Sequence, residues 1–247
     1  MIDGIYLILL ISVLGPIIGS LIGVIRKPSE KFIHKMLAFA AGIMLAISFL
    51  ELIPNAMEIS SIMIVAIGIV LGALLMFLLD ISIPHIHPEL CQQEQGKKLK
   101  KTSVYLMLGI FLHNFPEGMA LAIGSVTGLQ TALVVALAIA IHNIPEGICT
   151  SAPYYYSSKK RMKSFLLSSA TAIPIVIGFF FASYLFNFLT NNLIGLILAG
   201  TAGLMIYISA DELIPTACNK DHSQWSHSTI FALISGVLLV ILLGLIG

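Results

Sequence analysis

All thirteen lysines and arginines of this 247-residue chain fall in four places, and the long apolar stretches between them restrict what it can fold into. Eight apolar segments stand out, at roughly 5–25, 34–54, 62–83, 103–124, 130–151, 164–187, 193–214 and 228–246. Each is close to the length of about 20 apolar residues that a helix needs to cross a bilayer. Arg26, Lys27, Lys31 and Lys35 lie between or beside the first two segments. Lys97, Lys98, Lys100 and Lys101 lie between the third and fourth, Lys159, Lys160, Arg161 and Lys163 between the fifth and sixth, and Lys220 between the last two. The other connections and both ends carry none. The positive-inside rule then predicts eight spans, four cytoplasmic connections, and both termini on the outer side of the cell membrane. A missed or extra span would scatter the charges to both sides.

Composition agrees. The chain is 58% hydrophobic and 10% charged, with a mean hydropathy of +1.01. A water-soluble domain carries about a quarter charged residues. The expected class is an all-α polytopic membrane protein, read as one transmembrane domain over 1–247. Met1-Ile2-Asp3-Gly4 has no basic residues ahead of its apolar run, which reads as a first span and not a cleaved signal. A net charge of +1 gives no case for nucleic-acid binding. Cys91, Cys149 and Cys218 form no CxxC, which argues against a disulfide framework or a thiolate zinc site. No P-loop points to ATP hydrolysis. The one long polar connection, 84–102, reads as a mobile cytoplasmic loop. Within it His85 and His87 could collect metal ions, or could simply be solvated histidines.

Two repeats organise the spans. His113-Asn114-Phe115-Pro116-Glu117-Gly118 recurs twenty-nine positions later as His142-Asn143-Ile144-Pro145-Glu146-Gly147, differing only at the third position. In each copy His and Glu are four apart, on one helix face. Each Pro removes a backbone donor, and a kink is expected there. A second repeat aligns 41–56 with 202–217: ten of sixteen positions are identical at an offset of 161, and both copies contain Glu-Leu-Ile-Pro. By the charge pattern these two segments run in opposite directions. Spans one to three and six to eight are therefore expected to form an inverted repeat around spans four and five, a 3+2+3 arrangement. Such transporters hold their substrate near the bilayer midplane on broken helices.

Ionisable groups inside a membrane are costly, at about 2.5–3.5 kcal/mol for Asp on insertion scales, so each needs a reason. His113, Asn114, Glu117, His142, Asn143 and Glu146 supply imidazole nitrogen and oxygen ligands on adjacent antiparallel helices. A divalent cation offsets the desolvation of the carboxylates that hold it. This set suits Zn(II), Fe(II), Co(II) or Mn(II), and does not suit Cu(I). The plainer reading is that the same groups only bond helix to helix, and the duplication in register argues against it. Glu51, Asp211 and Glu212, near span ends, are candidate gate or pathway groups or plain helix-end residues. Asp80 reads as interfacial, Met44 and Met205 as packing, Gly118 and Gly147 as points of close helix contact, and Tyr154-Tyr155-Tyr156 as an interfacial anchor.

The paired HNFPEG and HNIPEG helices resemble those of the ZIP family of divalent-metal transporters, within it the bacterial ZupT-like branch. So do the Ala-Gly-Ile-Met-Leu run leading to Glu-Leu-Ile-Pro, Pro84-His85-Ile86-His87-Pro88, and Ala210-Asp211-Glu212-Leu213-Ile214-Pro215. The likeness covers essentially the whole chain. It implies eight helices with both termini outside. It also implies uptake of zinc, and of iron, cobalt and manganese, into the cytoplasm through the six HNxPEG side chains, and it suggests a homodimer. No enzymatic cofactor is expected; the metal is cargo. One departure stands out. Family members commonly carry a span-six carboxylate that completes a second metal position, whereas residues 147–210 here contain no Asp or Glu. One ion or two at the site is thus open. The competing readings are an intramembrane zinc-dependent hydrolase, using a metal-bound water, and a membrane metal sensor or scaffold. Neither motif is HExxH.

Overall fold

The computed structural model describes residues 2–26, 28–82, 97–185, 188, 190–217 and 227–246. Eight helical elements in it are long and apolar enough to cross a membrane, as the hydropathy pattern predicts. Helix α1 is Ile2–Ile25. Helix α2 runs Glu30–Ile47, widens through a π turn at Ser48–Leu52 and finishes as Ile53–Ile59. Helix α3 is Ile62–Ser82, α4 is Lys97–Thr127 and α5 is Leu129–Ser158. Helix α6 is Arg161–Ser169, a 3₁₀ turn at Ala170–Ala172, then Ile173–Leu185. Helix α7 is Asn191–Ile208, a π turn at Ser209–Leu213 and Ile214–Ala217, and α8 is His227–Ile246.

The α2/α7 repeat is reproduced in detail. Ser29 and Thr190, also 161 apart, are the N-caps, accepting from Phe32 N and Leu193 N, each at 3.3 Å. Both π turns precede the proline of Glu-Leu-Ile-Pro. Pro54 and Pro215 cannot donate to the carbonyl four residues back, and the widened turn gives the ring room there. The α-helices continue through Pro116 and Pro145 despite the donor each lacks, and the departures from α-helix among the described residues lie in α2, α6 and α7.

The helices fall into two groups of four. Helices α1, α4, α5 and α6 pack together through α1–α5, α4–α6 and α4–α5 contacts. They share a core of Ile8, Leu121, Val135, Ile139, Ile175 and Phe179. Helices α2, α3, α7 and α8 pack through α3–α7 and α2–α8, around Ile43, Met44, Ile47, Leu198, Met205 and Ile208. The groups meet along α2–α5 and α4–α7, where Ala120, Ile123, Ala138 and Cys149 join the second core. Glycine sets the close approaches. A Cβ on Gly118 would collide with the Ile175 carbonyl of α6, and one on Gly147 would stand 2.6 Å from the Pro16 carbonyl of α1. Gly42 meets the Leu233 carbonyl of α8 in the same way, and its repeat mate Gly203 meets the Ile69 carbonyl of α3. Without a hydrophobic drive between helices in lipid, such backbone contact is what holds them together.

The structure adds detail to three local expectations. Residues 97–102, read as the end of a polar loop, form the first turns of α4: a helix can extend past the apolar stretch into water, which hydropathy does not report. Tyr154 is buried within the protein, while Tyr155 and Tyr156 are half-buried. Arg161 lies 5.4 Å from the ring centre of Tyr155 and Lys159 5.8 Å from that of Tyr156. Asp80 is half-buried, with the Tyr207 hydroxyl 3.5 Å from its carboxylate. Met44 and Met205 are core residues, as expected. Cys149 is buried; His85, His87, Cys91 and Cys218 lie outside the described residues.

Candidate metal site

Helices α4 and α5 place all six HNxPEG side chains against one another, each at least 96% buried. The pairing is crosswise. His142 Nε2 lies 3.1 Å from Glu117 Oε1, and His113 Nε2 lies 3.4 Å from Glu146 Oε2. Each imidazole thus meets the carboxylate of the other helix, although a carboxylate four residues along its own helix shares its face.

Hydrogen-bond chemistry fixes several atoms. The Ala138 carbonyl, 2.9 Å from His142 Nδ1, can only accept, so Nδ1 carries a proton. An ionised carboxylate also only accepts. The contact between His142 Nε2 and Glu117 therefore needs one more proton, on one partner or the other. A cation bound between these atoms would displace it. Asn143 Nδ2 donates to Glu117 Oε2 at 3.4 Å, and Asn114 Nδ2 donates to the Thr171 carbonyl of α6 at 2.7 Å. Both amides therefore have their nitrogens committed. Their Oδ1 atoms are buried without a hydrogen-bond partner. An orphaned buried acceptor costs about 1–3 kcal/mol, and a cation is the group that would satisfy two of them beside two carboxylates.

Among the described residues no three His, Cys, Asp or Glu converge tightly enough to enclose an ion as they stand. The two crosswise pairs explain this: each imidazole is committed to one carboxylate, and enclosing an ion requires small side-chain rearrangement.

A cavity of about 20 Å³ adjoins the site, lined by Leu37, Leu106, Ile110, His113, Glu146, Cys149, Ile208, Glu212 and Leu213. Room of this size admits one water molecule. Every lining residue lies at the motif or between it and the helix ends that lead to the basic connections. Of the three candidate pathway acids, only Glu212 reaches this cavity. Asp211 is exposed, and Glu51 is half-buried on the far π turn, its carboxylate oriented toward Gly244 of α8. Sequence reasoning passed over Cys149 here, though it follows Glu146 by three residues on the same helix face. It also passed over the Thr171 carbonyl, for which Pro174 is the signal.

With this geometry in place, comparison with known proteins is direct. A family model described as ZIP Zinc transporter matches residues 1–103 and 85–244. The chain is 36% identical over 212 residues to a zinc transporter ZupT of Enterobacter sp. (strain 638), covering 83% of this chain and 82% of that protein. It is 34% identical over 235 residues to a zinc transporter ZupT of Salmonella heidelberg (strain SL476), covering 91% of each. The Escherichia coli O127:H6 protein of the same name is 35% identical over 212 residues, covering 83% of this chain and 82% of that protein. The chain belongs to the ZIP zinc transporter family.

Proposed function

We propose that this protein carries Zn(II) across the cell membrane into the cytoplasm, binding it between α4 and α5 on His113, Asn114, Glu117, His142, Asn143 and Glu146. The observation that carries this reading is the buried, crosswise His–Glu constellation, with two amide oxygens left unsatisfied inside a membrane span. Imidazole with carboxylate and amide oxygen also accepts Fe(II), Co(II) and Mn(II), which are proposed as further cargo. Entry of the ion displaces the extra proton held between His142 and Glu117, so binding releases a proton to the medium. The family name and the similar transporters support transport over hydrolysis.

Direction follows from charge. The basic connections are taken as cytoplasmic and both termini as external. On that orientation the cavity beside His113 and Glu146 lies on the cytoplasmic side of the site, and Glu212 stands on the exit route. The 3+2+3 inverted repeat is supported by the exchange of packing partners. Swapping spans one with six, two with seven, three with eight and four with five turns α1–α5 into α6–α4 and α3–α7 into α8–α2. The single domain of 1–247 then works as two four-helix groups, and sliding one past the other exposes the site to each side in turn. A homodimer is carried from the family resemblance alone; light scattering of the purified protein tests it.

The experiment is flux into proteoliposomes. Wild-type protein accumulates zinc without chemical change to lipid or peptide, whereas His113→Ala and Glu146→Ala accumulate none while retaining a wild-type unfolding transition. Wild-type uptake by both variants would refute the site.

A further inference from the structure

The irregular stretch of α6, from Ser168 to Pro174, touches both copies of the HNxPEG motif. Its cause is local. Pro174 has no N–H to give the Ala170 carbonyl, and Ile173 N donates there, tightening Ala170–Ala172 into a 3₁₀ turn. On α4, the Thr171 carbonyl in this turn takes the Asn114 amide at 2.7 Å. On α5, Ser168 Oγ lies 3.2 Å from the Gly147 carbonyl and 2.6 Å from Thr150 Oγ1, and Thr150 Oγ1 lies 2.9 Å from the Glu146 carbonyl. Ser168 also meets Ser20 Oγ of α1 at 2.6 Å, and Thr171 Oγ1 donates to the Ser168 carbonyl at 2.8 Å, closing the turn on itself. Ser20, Thr150 and Ser168 are fully buried. None of these groups on α6 carries charge, and none belongs to the duplicated motif.

We propose that the Ser168–Pro174 stretch is a positioning element for the metal ligands, an inference that rests on the six-residue site above. On α4 it holds the Asn114 amide so that Oδ1 faces inward. On α5 it fastens the turn that carries Glu146. In a span without any acid, α6 contributes to ion binding by orienting ligands and not by supplying one.

Two substitutions separate positioning from plain packing. Pro174→Ala restores the missing donor and lets the turn relax to α-helix, drawing the Thr171 carbonyl back toward the helix axis. Ser168→Ala removes the bridge, yet Ser20 keeps the Pro16 carbonyl at 2.6 Å and Thr150 keeps the Glu146 carbonyl, so no buried donor is stranded. Zinc affinity and the unfolding temperature are measured on purified protein in detergent. Groups that orient metal ligands typically change affinity by about 10–100-fold. The expected result is about 10-fold weaker zinc binding in Pro174→Ala with an unchanged or higher unfolding temperature. Ser168→Ala binds several-fold more weakly with little change in unfolding temperature. In an Asn114→Ala background, Pro174→Ala adds no further loss, because the two act through one contact. Wild-type affinity in both single variants overturns the proposal, as does an affinity loss that only accompanies a matching loss of stability. His113→Ala is the control for the site itself: wild-type zinc affinity in that variant condemns the site, and leaves the role of α6 without a ligand set to orient.

Discussion

The two four-helix groups are built by the same packing rule and filled with different chemistry. In both, glycines bring paired helices to backbone contact: Gly118 and Gly147 in the α1/α4/α5/α6 group, Gly42 and Gly203 in the other. The first group, however, buries two His–Glu pairs, two amides and the Ser20–Ser168–Thr150 hydroxyls. The second is aliphatic at its centre, with Glu51, Asp211 and Glu212 on π turns near the helix ends and Asp80 near the end of α3. On the proposed site, the contrast teaches a division of labour: one group would hold the ion, and the other would form the wall against which it is held or released. Among the described residues the groups meet largely through small and apolar side chains, with a long hydrogen bond from Thr201 Oγ1 to the Pro116 carbonyl at 3.4 Å and with Glu212 facing the cavity that His113 and Glu146 line. An interface of that kind can slide.

The largest expected effect comes from joining the groups. Ile208 of α7 and Cys149 of α5 line the same cavity from opposite groups. In Ile208→Cys, bridging the two thiols with a short bifunctional reagent should reduce zinc uptake to background, and reduction of a cleavable bridge should restore it. Bridging Phe77→Cys to Tyr207→Cys, whose rings sit 6.5 Å apart within the second group, should leave uptake within about twofold. Equal inhibition by both bridges would break the two-group comparison.

Next in size is the loss of a ligand. Glu117→Gln should weaken zinc binding by on the order of 100-fold, the upper end of what even supporting groups around a metal contribute. Glu51→Gln, in the other group, should change it less than threefold. Titration of each purified variant with zinc reads both. A smaller effect belongs to Glu212, which lines the cavity beside His113 and Glu146 and lies outside the six-residue motif. Glu212→Gln should slow uptake by roughly fivefold, equivalent to about 1 kcal/mol on the barrier, with zinc affinity nearly unchanged. Smallest is Ser48→Ala. Its hydroxyl bonds the Met44 carbonyl at 2.8 Å and approaches the Ala202 carbonyl at 3.4 Å. Interhelical bonds in membranes average about 0.6 kcal/mol, so the variant should lose only a little thermal stability and transport normally.

How much of this was legible in the chain follows from what each signal depends on. Hydropathy marks each of the eight spans, because lipid admits little else. It misses the first turns of α4, where Lys97–Lys101 continue the helix beyond the apolar stretch, and the ends of α2 and α7 beyond their π turns, because a shift in hydrogen-bond register leaves no trace in polarity. The six site residues announce themselves by duplication. Their crosswise pairing does not, since it depends on how α4 and α5 are rotated and staggered, a tertiary property. At Pro116 and Pro145, where a kink is expected, the α-helix continues, and the 3₁₀ turn before Pro174, beside the Asn114 amide, had no motif to announce it. The grouping of α1 with α4–α6, and of α2 and α3 with α7 and α8, is written in scattered glycines that acquire meaning only once their partners are known.

The central claim, that buried imidazoles and carboxylates on α4 and α5 grip a divalent cation, is tested most directly by anomalous diffraction from crystals grown with zinc. The account predicts a zinc peak between α4 and α5, within about 2.0–2.2 Å of His nitrogen and Glu oxygen atoms, with the His142–Glu117 and His113–Glu146 contacts opened to admit it. Crystals in which zinc binds elsewhere, and the two His–Glu pairs stay closed on each other, would contradict it.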